Sequence, residues 1–140
     1  MENHEYKTGD ILHATAAPPT LGLLGHKGII LLENNEIYVY HNTPIDHNEW
    51  GGSTMKDTLE DFLVVKRQIK SIDRSNLTEA EIKARFDQVK NKKFRWISWN
   101  CDHFINVMIT GEHESPQLKK ILSTIFLVVS FYLITKYIKK

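Results

Sequence analysis

The stretch GHKGIILLENNEIYVYHNTP, residues 25–44, decides how the rest of the chain is read. Two runs rich in β-forming residues flank Asn34-Asn35, the pattern of a hairpin. With Glu33-Asn34-Asn35-Glu36 as the turn, Leu32 faces Ile37 and His41 faces Gly28. Side chains alternate along each strand, so His26, Gly28, Ile30 and Leu32 share a face with Ile37, Val39 and His41. His26 and His41 become diagonal neighbours on the more apolar face, within reach of one another.

Downstream, SWNCDHFINV, residues 98–107, holds the single cysteine of the chain. Asn100 is a good N-cap, which puts Cys101 in the first turn of a helix that Gly111 can end. A thiol there feels the positive end of the helix dipole and exposed backbone N–H groups, both of which lower its pKa. Phe104, Ile105, Met108 and Ile109 form the expected inward stripe, and Cys101 lies on that side by its spacing. His103 points about 200° away from Cys101, so the histidine nearest in sequence is the wrong base. A helix-start thiol and two imidazoles on a core-facing sheet surface make a Cys–His–His constellation. Cys101 is its nucleophile, His26 its base and His41 the group that orients the base. A lone cysteine is more often an inert buried residue, and a histidine at a strand end a satisfied polar one. The combination shifts the weight towards catalysis.

At 140 residues the chain is long enough to bury one core, and its composition is that of a globular protein. The net charge of +1 lacks the basic footprint of a nucleic-acid binder, so no nucleic-acid partner is expected. One cysteine excludes an intramolecular disulfide framework and a CxxC zinc site but leaves a His-only site open, and no cofactor or metal is implied. The polar start, MENHEYKTGD, has no apolar core of a signal peptide.

Around the hairpin, YKTGDILHAT reads as a short strand and AAPPTLGLLGHK as a loop. NTPIDHNEWGGSTMKDT reads as a polar loop, and LEDFLVVKRQIKSI as one or two strands. SNLTEAEIKARFDQVKN is a helix capped by Ser75 or Thr78, with Ile82, Phe86 and Val89 along one side. KFRWIS reads as a short strand leading into the cysteine. His4 belongs to the tail, His13 to a strand, and His47 and His113 to loops; Lys90 to Arg95 form a solvated face. The expected class is α+β, with helices packed on a small antiparallel sheet.

The C-terminal stretch KKILSTIFLVVSFYLITKYIKK carries no charge from Ile121 to Thr135. Eighteen helical residues span roughly 27 Å, close to the hydrocarbon thickness of a bilayer. Lysines bracket the run, Lys136 can snorkel, and Tyr132 and Tyr137 sit near one interface. A buried core helix is the alternative, but a core helix normally keeps a polar stripe and this one is apolar on every face. The expectation is a single-pass anchor, with the chain divided into residues 1–117 and 118–140 and the first part facing the cytoplasm.

TGDILH, GHKGIILLENNEIYVYHNTP and NCDHFINVMITG followed by ESPQ together resemble the lecithin retinol acyltransferase-like, or NC-domain, family. The resemblance runs from about Gly9 to Gln117, with Asp102 where glutamate is usual and Lys27 where an aromatic residue is common. It implies a circularly permuted papain-like fold of the NlpC-like superfamily. It carries the nucleophile onto Cys101, the base onto His26 and the orienting residue onto His41. It also implies a membrane-anchored acyltransferase or phospholipase that cleaves a glycerophospholipid ester through a Cys101 thioester. A cysteine peptidase or amidase with the same triad, and a catalytically silent membrane-tethered interaction module, are the alternatives.

Overall fold

The computed structural model describes residues 5–15, 25–46, 49–50, 52–64, 68–114 and 116–138. Most of the loop expected at 16–27, together with His4 and His47, lies outside the described residues. The hairpin forms as its sequence requires: β2 (His26–Glu33) and β3 (Glu36–Asn42) pair antiparallel with Gly28 opposite His41 and Leu32 opposite Ile37. Asn34 and Asn35 close it at φ 50° and 64°, the double positive φ that a two-residue turn between right-twisted strands demands. β1 (Ile11–Ala14) pairs with β2 on one side and β7 (Ile69–Asp73) on the other, while β6 (Thr54–Thr58) pairs with β3. The sheet order is β6-β3-β2-β1-β7, and β4 (Ile45–Asp46) with β5 (Glu49–Trp50) makes a separate two-stranded ribbon. The α+β class is as expected.

Three elements differ from their sequence reading. LEDFLVV begins not a strand but the short helix α1 (Leu59–Val64), nucleated where Thr58 Oγ1 accepts the Asp61 N–H at 3.1 Å. Its apolar run is too short for periodicity to separate helix from strand. The polar segment after Asn42 holds β6, whose ladder partners lie across β3 rather than beside it in sequence.

The expected strand KFRWIS is a turn. Arg95 and Trp99 bond each other through both backbone groups, and only single bridges remain on either side.

α2 (Glu79–Val89) is capped by Thr78 in a reciprocal box with Glu81, and Ile82 and Val89 are buried. α3 (Cys101–Thr110) starts at the Asn100 cap, whose Oδ1 accepts the Asp102 and His103 N–H groups. It ends at Gly111 with φ 81°, a left-handed position that glycine adopts without a Cβ penalty. Phe104, Ile105, Val107 and Met108 are buried, whereas Ile109, expected inside, is exposed. The buried arc is therefore rotated by part of a turn towards Val107.

The sheet has two core faces. Ile29, Leu31 and Tyr40 pack with Ile82 of α2 and Phe104, Ile105 and Met108 of α3, while Leu12, Ile30 and Val39 pack with Phe62 of α1 on the other side. By strand alternation His26 and His41 belong to the α1 face, opposite the face on which α3 packs.

α4 (Pro116–Ile138) contains a window, Lys119–Ile138, long and apolar enough to cross a bilayer, and none of that window is buried within the protein. Phe126, Leu127 and Phe131 are exposed. A helix apolar on all sides needs an apolar surrounding, and the folded domain does not supply one. This helix is a candidate membrane span.

Gly28 is where the fold leaves room for the histidines. A Cβ there would lie 2.4 Å from Val39 Cγ1 and 3.4 Å from His41 Cβ. Gly28→Ala should therefore cost about 1–3 kcal/mol of stability through overpacking. Thermal unfolding of both chains in detergent, followed by tryptophan fluorescence, measures this; an unchanged midpoint would contradict the packing.

Candidate active site

Three elements meet at the start of β2. The first contributes His26, the opening residue of that strand and buried. The second is β3, where His41 is almost completely buried; its Nδ1 lies 3.0 Å from His26 Nε2. The diagonal placement read from the hairpin register thus becomes a direct hydrogen bond. Phe62 of α1 packs on both rings, stacked on His26 at 5.5 Å and edge-on to His41 at 5.1 Å between centroids.

The chain of bonds does not end at His41. Its Nε2 lies 2.8 Å from Oδ2 of Asp57, a partly buried residue of β6 that the sequence reading had left in a loop. Asp57 pairs with Val39 in the ladder, which puts it on the same face as His41 and one diagonal step away. The only sequence signal was alternation in Thr54–Thr58, too polar to stand out.

Asp57 fixes the tautomers. A carboxylate only accepts hydrogen bonds, so His41 donates from Nε2, and in its neutral form the ring presents the Nδ1 lone pair to His26. His26 must then donate from Nε2, and its own lone pair is on Nδ1. A basic nitrogen at His26 Nδ1, oriented through His41 by a carboxylate, is the arrangement a general base requires.

Cys101 approaches from the other side of the strand. Its Sγ donates to the Gly25 carbonyl at 3.7 Å and receives the Lys27 N–H, so the thiol lies against the backbone on both sides of His26. The two flanking side chains are tied as well: Lys27 Nζ meets Asp102 Oδ1 at 2.7 Å, with Asp102 nearly buried. Lys27, which stands where the family resemblance expects an aromatic residue, fastens β2 to the helix that carries the thiol. Behind it, Asn42 Nδ2 donates to the Trp99 carbonyl at 2.7 Å and holds the segment that enters α3.

The electrostatics correct one expectation. Burial pushes the Cys101 thiol above its usual pKa, with Asp102 adding to the rise. The Lys27 N–H and charge and the Asp102 N–H at the helix start oppose it without prevailing. Although the residue keeps some exposure, its sulfur is crowded by protein atoms, and desolvation outweighs the helix terminus. The thiol is neutral at rest. His103 is not near enough in role to serve as a base: its Nδ1 lies 2.9 Å from Asn100 Oδ1 and 3.4 Å from the Asn100 N–H, inside the helix cap. Burial lowers its pKa. His13 pairs with Asp73 at 2.8 Å, and His113 is exposed.

Compared with known proteins, the chain matches no family model, no curated protein and no solved structure.

A raised thiol pKa sets the pH course of alkylation. The rate of Cys101 modification by iodoacetamide should keep climbing as pH passes the ordinary thiol value of about 8.5. A plateau reached already below neutrality, followed by mass spectrometry, would contradict a neutral resting thiol.

Proposed function

We propose that this chain is a membrane-anchored thiol acyltransferase or phospholipase of the lecithin retinol acyltransferase-like type. In this reading residues 1–117 form a circularly permuted papain-like catalytic domain, and residues 118–140 the anchor. The observation that carries it is the run Asp57–His41–His26, which ends at the strand residue whose two neighbours, Gly25 and Lys27, meet the thiol of Cys101 through their backbone at a helix N-terminus.

The chemistry follows from that run. The thiol turns from the Gly25 carbonyl to His26, whose Nδ1 takes the proton as the sulfur attacks the ester carbonyl carbon. The imidazolium so formed is stabilised by Asp57 through His41. The backbone N–H of Cys101, at the start of α3, is positioned to donate to the developing oxyanion. Collapse breaks the acyl C–O bond, and His26 returns its proton to the leaving alcohol. Water or an acceptor amine or alcohol, deprotonated by His26, then cleaves the thioester and frees the thiol.

The choice of lipid over peptide rests on α4, a candidate span that holds the domain at a bilayer. The domain on this reading faces the cytoplasm. A peptidase or amidase would use the same residues, and incubation with labelled phospholipid vesicles or with peptides separates the two by which acyl group is found on Cys101. A silent interaction module would give no adduct from either.

Cys101→Ala should abolish turnover while leaving the fold intact; undiminished release of fatty acid would end the thiol mechanism. His26→Ala should lower kcat by about 10²–10⁴-fold, the usual worth of a general base. Asp57→Asn should lose less, about 10–100-fold, equivalent to one hydrogen bond to a charged group. If His103→Ala proves more damaging than His26→Ala, the assignment of the base is wrong.

The full chain should remain with membranes through a carbonate wash, whereas a chain ending at Gln117 should be released. Burial of a whole apolar helix in lipid is far harder to reverse than attachment by one acyl chain. Retention of the shortened chain would remove α4 from the argument.

A further inference from the structure

The turn before α3 carries an apolar apex that the chemistry above does not use. Reciprocal backbone bonds between Arg95 and Trp99, at 2.8 and 2.9 Å, close a loop over Trp96, Ile97 and Ser98. Three more bonds fix its base. Asn42 Nδ2 donates to the Trp99 carbonyl, Trp99 Nε1 to Thr54 Oγ1 at 2.9 Å, and Asn100 Nδ2 to the Trp96 carbonyl at 2.9 Å. Trp99 is the buried anchor of this turn, while Trp96 and Ile97 at the apex are 47% and 72% exposed. The Phe94 ring lies edge-on against Trp96, with centroids 5.1 Å apart.

Single exposed apolar residues are ordinary, but two neighbours on a turn tied this firmly form a fixed tip. Its flank is basic. From Lys90 to Asn100 the chain has Lys90, Lys92, Lys93 and Arg95 and no acidic residue. Lys90 is paired with Asp87, and Lys92 lies over the Trp99 ring at 3.6 Å, so Lys93 and Arg95 are the exposed cations nearest the apex. Glu114, on the segment that His113 brings towards Lys92, is paired with Lys119. The tip also belongs to the rim of the site, because Asn42 adjoins His41 and Asn100 adjoins Cys101.

We propose that the Trp96–Ile97 tip is a second membrane contact, inserted into the headgroup region of an anionic bilayer, with Lys93 and Arg95 on lipid phosphates. An aromatic apex with a basic collar suits that interface, where tryptophan is favoured and cations meet a negative surface. The contact rests on the reading of α4 as a membrane span. It would hold the Cys101 end of α3 at the lipid surface, a task that a span attached beyond the other end of α3 does not perform alone.

α4 contains no tryptophan, so tryptophan emission reports only on the rest of the chain. The full chain is reconstituted into vesicles of phosphatidylcholine with phosphatidylglycerol, with and without brominated acyl chains. The emission lost in Trp96→Phe is assigned to Trp96. That component should be blue-shifted and quenched by bromine, and the quenching should fall in a Lys93→Glu, Arg95→Glu double variant and in vesicles of phosphatidylcholine alone. An unquenched Trp96 component in a chain that resists carbonate extraction would overturn the tip while leaving the anchor. A blue shift that depends on protein concentration and ignores bromine would mean that another protein surface covers the tip, and would also overturn it. Quenching in a chain that carbonate strips away would uphold the tip and remove α4 instead.

Discussion

Both imidazoles reach each other only because the turn at Asn34-Asn35 sets one register between β2 and β3. A slip of one residue would send His41 to the opposite face of the sheet and break its 3.0 Å bond to His26. Gly28 supports the same register from the strand interior, since any side chain there would press on Val39 and His41. Two asparagines at positive φ and one glycine therefore govern the site at a distance from the thiol itself.

Burial of polar groups explains the form of the site. His41 is as inaccessible as the core residues around it, and a buried imidazole without partners costs stability. Here both ring nitrogens of His41 are engaged, by His26 and Asp57. That satisfaction dictates the tautomers, and the tautomers direct a lone pair to His26 Nδ1. Crowding at the sulfur likewise keeps the Cys101 thiol protonated. The Lys27–Asp102 pair gives the two elements a direct electrostatic tie across the strand edge.

The protein has a second exposed apolar feature besides its long helix. α4 is apolar on every side and unburied, and the Trp96–Ile97 turn is apolar at its apex and rigid at its base. They lie at opposite ends of α3, one after Gly111 and one before Asn100. The helix that begins with Cys101 is thereby bracketed by the two apolar features.

Local pattern was enough for the elements whose partners are close in sequence. The hairpin register, the Asn100 cap, the Gly111 stop and the apolar C-terminal run all depend on local pattern and could be read directly, while the cap of α2 was narrowed to Ser75 or Thr78 and proved to be Thr78. Tertiary structure decided the rest. Asp57 entered the site because β6 crosses to pair with β3, and a polar five-residue strand is recognisable only through that partner. Phe62 was misread with its helix because six apolar-rich residues fit either period. Which face of the sheet each helix covers was likewise decided by tertiary packing, with α1 on the histidine face and α2 and α3 on the other. The direction of the thiol's pKa was missed for the same reason. A helix start is visible in sequence, but the crowding that desolvates a sulfur is a sum over atoms brought from distant parts of the chain.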